Sequence, residues 1–304
     1  MHGKKFSIKV VFNNIKYIIK KASIITASLI GILQIIGFLC EFNEVFPNDL
    51  SFIKRLIISA ISVAVIWSII FIIFCFVVNV TNRIKVINAK NGHSVYVEYG
   101  DLFIQENNSR IVVVTANRCF DTIVDNDLIS ETTVHGKAIN YICKDGYTEK
   151  MLNEALQKDL NDIRKIMPEK VLSASEKRKG NLKRYPAGTI AEYNKGDGDK
   201  TTYFFVGMSA FNYHLHPETT DLEYAMVIQS LVEYCRQRSQ RMPIYMPIIG
   251  AHGRNAQKTE RELLEYMINV LRFNKHMIDT DIHIVVYHGN RDEVPIHGLQ
   301  FNHK

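Results

Sequence analysis

The chain has 304 residues, 47% of them hydrophobic and 22% charged, which is enough apolar material for a domain-sized core and argues against an intrinsically disordered protein. Its formal net charge of +6 is concentrated at one end, because 11 Lys or Arg stand against 3 Asp or Glu in residues 1–90 while 26 stand against 28 in residues 91–304. A slightly acidic remainder lacks the cationic footprint of a sequence-independent DNA or RNA binder, so no nucleic-acid partner is expected.

The basic arm FSIKVVFNNIKYIIKK (residues 6–21) mixes apolar residues with lysines, a pattern that suits either an interfacial helix on anionic lipid or a simple flanking anchor. Residues 22–40 carry no charge, and at about 1.5 Å per residue they reach across the roughly 30 Å of a hydrocarbon core. Residues 56–80 form a second uncharged run, long enough to cross with some tilt. Both are predicted membrane spans. Lys4, Lys5, Lys9, Lys16, Lys20 and Lys21 precede them, Arg83, Lys85 and Lys90 follow, and the connector holds Glu41, Glu44 and Asp49 against Lys54 and Arg55. The positive-inside rule then places both termini in the cytoplasm. Gln34, Ser59, Ser62 and Ser68, with Gly31 and Gly37, suit helix contacts in an oligomer or are simply tolerated in an isolated hairpin. The spans hold no Asp, Glu, Lys or Arg, which argues against a transporter or a constitutive ion pathway.

From about residue 93 the pattern becomes α/β. Strands are predicted at 93–99 and 110–116, a polar helix over 148–166, a solvated charged loop over 170–184, and strands at 188–193 and 202–208. A helix over 220–238 follows, its buried stripe predicted as Leu222, Ala225, Ile228, Leu231, Val232 and Cys235. A strand at 243–249, a helix ending near Arg272 and a strand at 281–287 complete an α/β sandwich with parallel pairs. The five cysteines, Cys40, Cys75, Cys119, Cys143 and Cys235, form no CxxC pair and read as free thiols in a reducing compartment. His214, His216, His252, His276, His283, His288 and His297 show no ligand spacing, so no metal or cofactor is expected.

Two segments carry candidate chemistry. After the strand at 243–249 the chain reads Gly250, Ala251, His252, Gly253, Arg254, Asn255, and the capping-box pair Thr259 and Glu262 announces a helix. Small residues before a helix start suit a phosphate, and they equally suit a tight strand-to-helix turn that holds no ligand. The second segment pairs Gly100, Asp101, Leu102 and Phe103 with Thr115, Ala116 and Asn117. Asp101 can accept from a nucleobase amine and Asn117 can reach a ribose hydroxyl, although Asp and Asn are also ordinary turn residues.

GDLF (100–103) and VVVTAN (112–117) resemble the GDI and VNAAN signatures of macro domains, which bind ADP-ribose, and MPIIGAHGRN (246–255) resembles their second phosphate loop. The longer strings IVVVTANRCFDTIV, VHGKAIN, YPAGTIAEY and TTYFFVGMSAF resemble the divergent macro domain of Thoeris antiviral effectors, including those that carry an N-terminal membrane hairpin. The resemblance implies a two-helix transmembrane hairpin (1–90) followed by a cytosolic three-layer α/β/α macro-like domain (91–304), placed in the inner membrane of a bacterium. It also implies a ligand derived from ADP-ribose, for membrane-linked members a histidine conjugate, made by a partner TIR-domain NADase, with homo-oligomers acting on the lipid bilayer. By the same resemblance Asp101 is the adenine contact with Leu102 beside it, Asn117 lies near the distal ribose, and Gly250, Ala251, His252, Gly253, Arg254 and Asn255 form the diphosphate loop. The GGGV segment of hydrolytic macro domains is missing. Arg118, Cys119, Phe120 and Asp121 stand there, with His135 and Gly136 further on, which favours ligand sensing without a catalytic residue and leaves a membrane-tethered ADP-ribosyl hydrolase as the alternative. Arg118, Cys119 and Phe120 are ligand-contact candidates, Arg118 or Arg254 as a bidentate phosphate partner, while Cys119, with no base placed beside it by sequence, also reads as a packed thiol.

Overall fold

The computed structural model describes residues 6–39, 51–89, 92–104, 108–144, 146–196, 200–251 and 258–299. Two compact units emerge, Met1–Asn82 with Arg291–Lys304, and Arg83–Asn290.

In the first unit, α1 (Ile8–Asn13) is followed by α2 (Ile15–Leu39) and α3 (Phe52–Val80). Ser7 caps α1 by accepting from the Val10 N–H, the usual service of a small hydroxyl at a helix start. Both α2 and α3 contain stretches long and apolar enough to cross a membrane, Ile15–Ile36 and Ile53–Val80. Their large side chains, Ile32, Ile35, Ile61 and Ile72 among them, point outward rather than into a core. The basic arm is helical, its lysines lying along α1 and the start of α2. Ser28, Ser62 and Ser68 donate to the carbonyls of Ile24, Ile58 and Ala64, four residues back on their own helices, which hides the hydroxyl from an apolar surround. A Cβ added at Gly31 would meet nothing within 4 Å, so Gly31 marks no close approach within the hairpin. The Trp67 indole N–H donates to Ser23 Oγ at 3.1 Å and ties α3 to α2. At the end of α3, the Arg291 guanidinium donates to the carbonyls of Val78, Asn79 and Thr81 and to Asn82 Oδ1, satisfying carbonyls that a helix end leaves open.

The second unit is a mixed sheet with helices on both faces. Its strands are β1 (Arg83–Asn88), β2 (Ser94–Gly100), β3 (Arg110–Asn117), β4 (Lys170–Val171), β5 (Lys183–Arg184), β6 (Ile190–Asn194), β7 (Thr201–Phe211), β8 (Pro217–Glu218), β9 (Ile244–Pro247) and β10 (Ile282–Tyr287). The main sheet has the order β1-β2-β10-β9-β3-β7-β6, with β8 paired to β7. All pairings from β2 through β7 are parallel, and β1 and β6 close the two edges antiparallel. Strands so covered read as continuous β-branched and aromatic runs, as RIVVVTAN and TTYFFVGMSAF do. The helices are α4 (Val134–Ile142), α5 (Glu149–Lys158, continuing as a π-helical turn through Ile163), α6 (Asp221–Arg238) and α7 (Glu260–Phe273). Alternate residues of a strand face opposite sides. Val112, Val114 and Ala116 of β3, with Tyr203 and Phe205 of β7, pack with Ile139 of α4 and Leu152 and Leu156 of α5. On the other face Phe204 meets Tyr234 of α6 edge-on at 5.2 Å, and Met246 and Ile282 meet α6 and α7.

Several elements differ from the sequence reading. Arg83–Asn88, assigned there to the membrane part, is an edge strand held by β2, and residues 291–304 group with the hairpin unit. The charged stretch 170–184 is not simply a solvated loop. It contains the β4–β5 pair, and Lys177 within it is fully buried because Asp121 accepts its ammonium proton at 2.7 Å. The buried stripe of α6 runs through Tyr224, Val227, Ile228, Leu231, Val232 and Cys235. Leu222, on the first turn and off that stripe, is exposed. Cys75, Cys119, Cys143 and Cys235 are free thiols, and Cys40 and Gly253–Asn255 lie outside the described residues.

Candidate ligand-binding cleft

Because β2, β10, β9, β3 and β7 run parallel, their C-terminal ends, Gly100, Tyr287, Pro247, Asn117 and Phe211, share one edge of the sheet. Ligands of open α/β sheets settle at this edge. Two adjoining cavities open there. The larger, of about 260 Å³, is lined by Thr115, Ala116 and Asn117, the loop from Asn126 to Ser130, Thr133, His135, Ser209 and Gly250. The other, of about 220 Å³, is lined by Gly100, Asp101, Leu102, Phe103, Lys137, Glu260, Tyr287 and Asn290. Val134, Ile248 and Ala251 belong to both, so the cavities are two lobes of one cleft with the start of α4 and the end of β9 between them.

Each shared wall has a local cause. Thr133 caps α4 by accepting from the Gly136 N–H at 3.1 Å, and a side chain at Gly136 would run into the Ser130 carbonyl, so glycine lets that turn close onto the helix. The first N–H groups of α4 are those a helix start leaves without an intrahelical acceptor, and with the positive end of the helix dipole they favour an anion. Gly250 holds φ at +87°, and a Cβ there would sit 3.0 Å from the Tyr224 ring and 3.2 Å from Met208 Cε. Tyr224 is fixed by donating to the Ile249 carbonyl at 3.0 Å. The capping box after this loop is present, with Thr259 Oγ1 accepting from the Glu262 N–H and Glu262 accepting from the Thr259 N–H. His252, Gly253, Arg254 and Asn255 lie outside the described residues.

In the smaller lobe, Asp101 acts as the turn residue considered for it, accepting from the Phe103 N–H at 3.0 Å, and it lines the cavity beside buried Leu102. The Lys137 ammonium lies 4.6 Å from the centre of the Tyr287 ring, within cation–π range. Asn290 donates to both carboxylate oxygens of Glu260, at 3.0 and 3.1 Å.

The larger lobe is different in kind. Asn117 is 4% exposed, and its Oδ1 accepts from the N–H groups of Cys119 and Asp121, at 3.0 and 3.4 Å. Among the described residues its Nδ2 is buried with no partner, and so is His135 Nε2. Burial lowers the His135 pKa to about 4, so the imidazole is neutral at physiological pH.

Arg118, Cys119 and Phe120 line neither lobe. The Arg118 guanidinium is buried and engaged by Glu169, by Glu223 at 2.7 Å and by the Tyr185 carbonyl at 2.8 Å. Two carboxylates and a carbonyl therefore occupy the donors that a phosphate would need. Cys119 is buried, its thiol pushed up to about 11 by desolvation, as befits a packed rather than a reactive cysteine. Phe120 turns inward against Gly207 and meets Tyr185 edge-on at 5.8 Å. Asp121 accepts from Lys177 and from the Asn181 N–H, at 2.7 and 2.6 Å, with both ion-pair partners fully buried. The segment after Asn117 is thus a buttress that holds the Asn117 amide in place. Sequence reasoning missed Lys137, Tyr287 and Asn290 and assigned no role to His135. Thr133 ahead of the spacing Val134, Ala138, Ile139, Ile142 was the available signal for α4. Among the described residues no three His, Cys, Asp or Glu gather to hold a metal ion.

Residues 95–287 match the family described as Thoeris protein ThsA, Macro domain. A curated relative, Thoeris protein ThsA of Bacillus amyloliquefaciens (strain Y2), is 27% identical over 163 residues, which is 53% of this chain and 50% of that protein. The chain therefore spans about half the length of the curated relative it matches. Similar solved structures include the Oceanobacillus iheyensis macrodomain with ADP, with a TM-score of 0.42 and 15% identity, covering 69% of this chain and 90% of that one. The same macrodomain with MES bound gives a TM-score of 0.43 at 14% identity, over 69% and 90% of the two chains. With its sheet unit matched from the second strand to the last, the chain belongs to the Thoeris ThsA macro-domain family.

Proposed function

We propose that this protein is a membrane effector of a Thoeris antiphage system, in which the macro domain senses a signal derived from ADP-ribose and the apolar helices act on the cell membrane. The observation that carries the reading is the two-lobed cleft, with a helix start and the Gly250 turn at the wall both lobes share. A diphosphate spanning that wall places an adenosine in the lobe of Asp101, Leu102 and Tyr287 and the distal sugar in the lobe of Asn117. Lys137 adds a positive charge near the crossing, a service the buried Arg118 does not supply. A partner TIR-domain NADase makes the signal, by family resemblance a histidine conjugate of ADP-ribose. Both termini lie in the cytoplasm, and bound signal drives homo-oligomers that breach the bilayer. A ligand shifts that equilibrium only by binding the assembled state better, and moving it from 1:99 to 99:1 takes about 5.5 kcal/mol summed over the sites that act together, a requirement that favours an oligomer.

The test uses the full chain in liposomes of phosphatidylethanolamine and phosphatidylglycerol loaded with a fluorescent dye. Calorimetric binding of ADP-ribose or its histidine conjugate, with dye release only when ligand is present, supports the reading. Folded protein that binds neither ligand refutes it. The hydrolase alternative would need an activated water near Asn117 or Asp121, and Asp121 is sealed in its ion pair with Lys177. Release of ADP-ribose from a modified protein at catalytic enzyme concentration would support it.

A further inference from the structure

We infer that residues 287–299 couple the lobe of Asp101 to the apolar hairpin along the chain itself, with Arg291 as the residue that grips the end of α3. This coupling rests on the functional reading above and supplies the route by which a bound ligand acts on the apolar helices.

The chain passes between its two units twice, from Asn82 to Arg83 and from Asn290 to Arg291. Both crossings start from the same helix end. Asn82 lies two residues past α3, and the Arg291 guanidinium donates to Asn82 Oδ1 at 3.1 Å and to the carbonyls of Val78, Asn79 and Thr81. On the sheet side, the first crossing enters β1, which pairs with β2, and the second leaves β10, which also pairs with β2. The ends of β2 and β10 supply Gly100, Asp101 and Tyr287 to the smaller lobe, and Asn290 lines it too. The strands β3 and β7, which end in the larger lobe, lie further across the sheet. A ligand in the smaller lobe therefore meets the residue directly before the one that holds α3.

Transmission needs a short connection and a firm hold at each end. Between Tyr287 and Arg291 stands a single 3-10 turn, His288–Asn290, which at about 2 Å per residue leaves little slack. At the lobe, Asn290 donates to both carboxylate oxygens of Glu260, and the Tyr287 ring meets the Lys137 ammonium. At the hairpin, residues 291–299 engage all three helices. The Arg291 cation sits at the negative end of the α3 dipole. Asp292 accepts from Ser7 Oγ at 3.0 Å and, through its carbonyl, from the Asn13 amide of α1. Val294, Ile296 and Leu299 are buried, and the His297 ring lies 5.3 Å from that of Tyr17 on α2. The exposed pair of Lys9 with Glu293, at 3.7 Å, adds little. A ligand that repositions Tyr287 or Asn290 either shifts Arg291 against the α3 carbonyls or is opposed by them. In both cases the two sites share free energy, which is what coupling requires.

The experiment inserts Gly-Ser-Gly-Ser-Gly-Ser between Asn290 and Arg291 in the full chain. Such a linker adds roughly 13 Å of slack while leaving the Arg291 grip, the lobe and the crossing at Asn82 in place. Dye release from liposomes of phosphatidylethanolamine and phosphatidylglycerol is measured with and without ADP-ribose or its histidine conjugate, whichever acts on the parent, and calorimetry follows binding. The insertion variant is expected to bind the ligand and yet to release dye equally, within about twofold, with and without it. A purely structural role for Arg291 would leave the ligand dependence intact, and release that depends on ligand as it does in the parent overturns the inference. Arg291→Gln, which removes the grip without lengthening the chain, is expected to lose the dependence as well, and it decides the matter if the insertion variant fails to fold or to bind. Dependence equal to the parent's in Arg291→Gln overturns the inference and leaves the functional reading standing, whereas parent protein that releases no dye in response to either ligand overturns both.

Discussion

The two lobes of the cleft are built on opposite principles. In the lobe of Asp101 and Lys137 the polar groups already answer one another, as Asn290 with Glu260, Asp101 with the Phe103 N–H and Lys137 with the Tyr287 ring show. In the lobe of Asn117 and His135 two polar atoms are buried and, among the described residues, unanswered. A satisfied surface binds by adding contacts to groups that were content without them, and it discriminates weakly. An unsatisfied one rejects any ligand that fails to supply the missing partner, because the cost of the orphaned groups then remains. Affinity for adenosine is thus expected to come from the first lobe and the choice among adenosine-bearing nucleotides from the second.

The largest effect should come from the wall they share. Gly250→Val forces a branched side chain into a left-handed backbone and against Tyr224 and Met208. It should abolish calorimetric binding of ADP and ADP-ribose together, by 100-fold or more, while circular dichroism stays unchanged. If ADP survives, the lobes do not share this wall.

Next is the buttress behind Asn117. Lys177→Met leaves the Asp121 carboxylate buried without its cation, and breaking one side of such a pair costs about 3–5 kcal/mol. The melting temperature should fall by roughly 10 °C, given about 2–4 °C per kcal/mol for a domain of this size. In the folded fraction the preference for ADP-ribose over ADP should shrink, because Asp121 no longer fixes the loop that orients Asn117. The double variant Lys177→Met with Asp121→Asn should recover part of the lost stability, since no charge is then stranded.

Much of this architecture was legible in the chain, and the boundary of legibility is physical. The strands RIVVVTAN and TTYFFVGMSAF and the capping box from Thr259 to Glu262 declare themselves because burial on both faces and helix starts leave local signatures. Asp101, Asn117 and Gly250, which line the cleft, were singled out because a strand end and a turn impose residue types. Lys177 was misjudged as solvated since nothing in KVLSASEKRKGNLKR says which of its cations meets a carboxylate 56 residues away. Arg118 was misread for the same reason, its partners Glu169 and Glu223 being distant in sequence. His135 and Lys137 sit two residues apart in α4 yet line different lobes. That division depends on the pose of the helix over the sheet, which no local pattern encodes.

A smaller effect is expected in the satisfied lobe. Lys137→Ala removes a cation close to the crossing point of the proposed diphosphate. Binding of ADP and of ADP-ribose should weaken alike, about threefold to tenfold, and less at high salt where such attractions are screened. A loss confined to ADP-ribose would move Lys137 functionally into the other lobe.

The smallest effect is on pH dependence, and it separates burial from recognition in the unsatisfied lobe. The folded-state pKa of His135 is depressed by burial to about 4 from an ordinary 6.5. Between these values the unfolded chain binds a proton that the folded chain does not. Stability from this group is therefore fully present above about pH 6.5 and declines as pH falls toward 4. His297, also buried and lowered to about 4, acts in the same direction in the hairpin unit, so His135→Gln should flatten only part of the acid limb in thermal melts. Ligand affinity should behave otherwise. Because the folded protein keeps His135 neutral down to about pH 5 and the doubly esterified diphosphate of ADP-ribose does not titrate there, ADP-ribose affinity should stay level from pH 8 to 5 even as the melting temperature drops. An ADP-ribose affinity that changes near pH 6.5 in the parent and not in His135→Gln would mean that the imidazole titrates as if in water, and the contrast between a satisfied lobe and a sealed, unsatisfied one would then fail at its central residue.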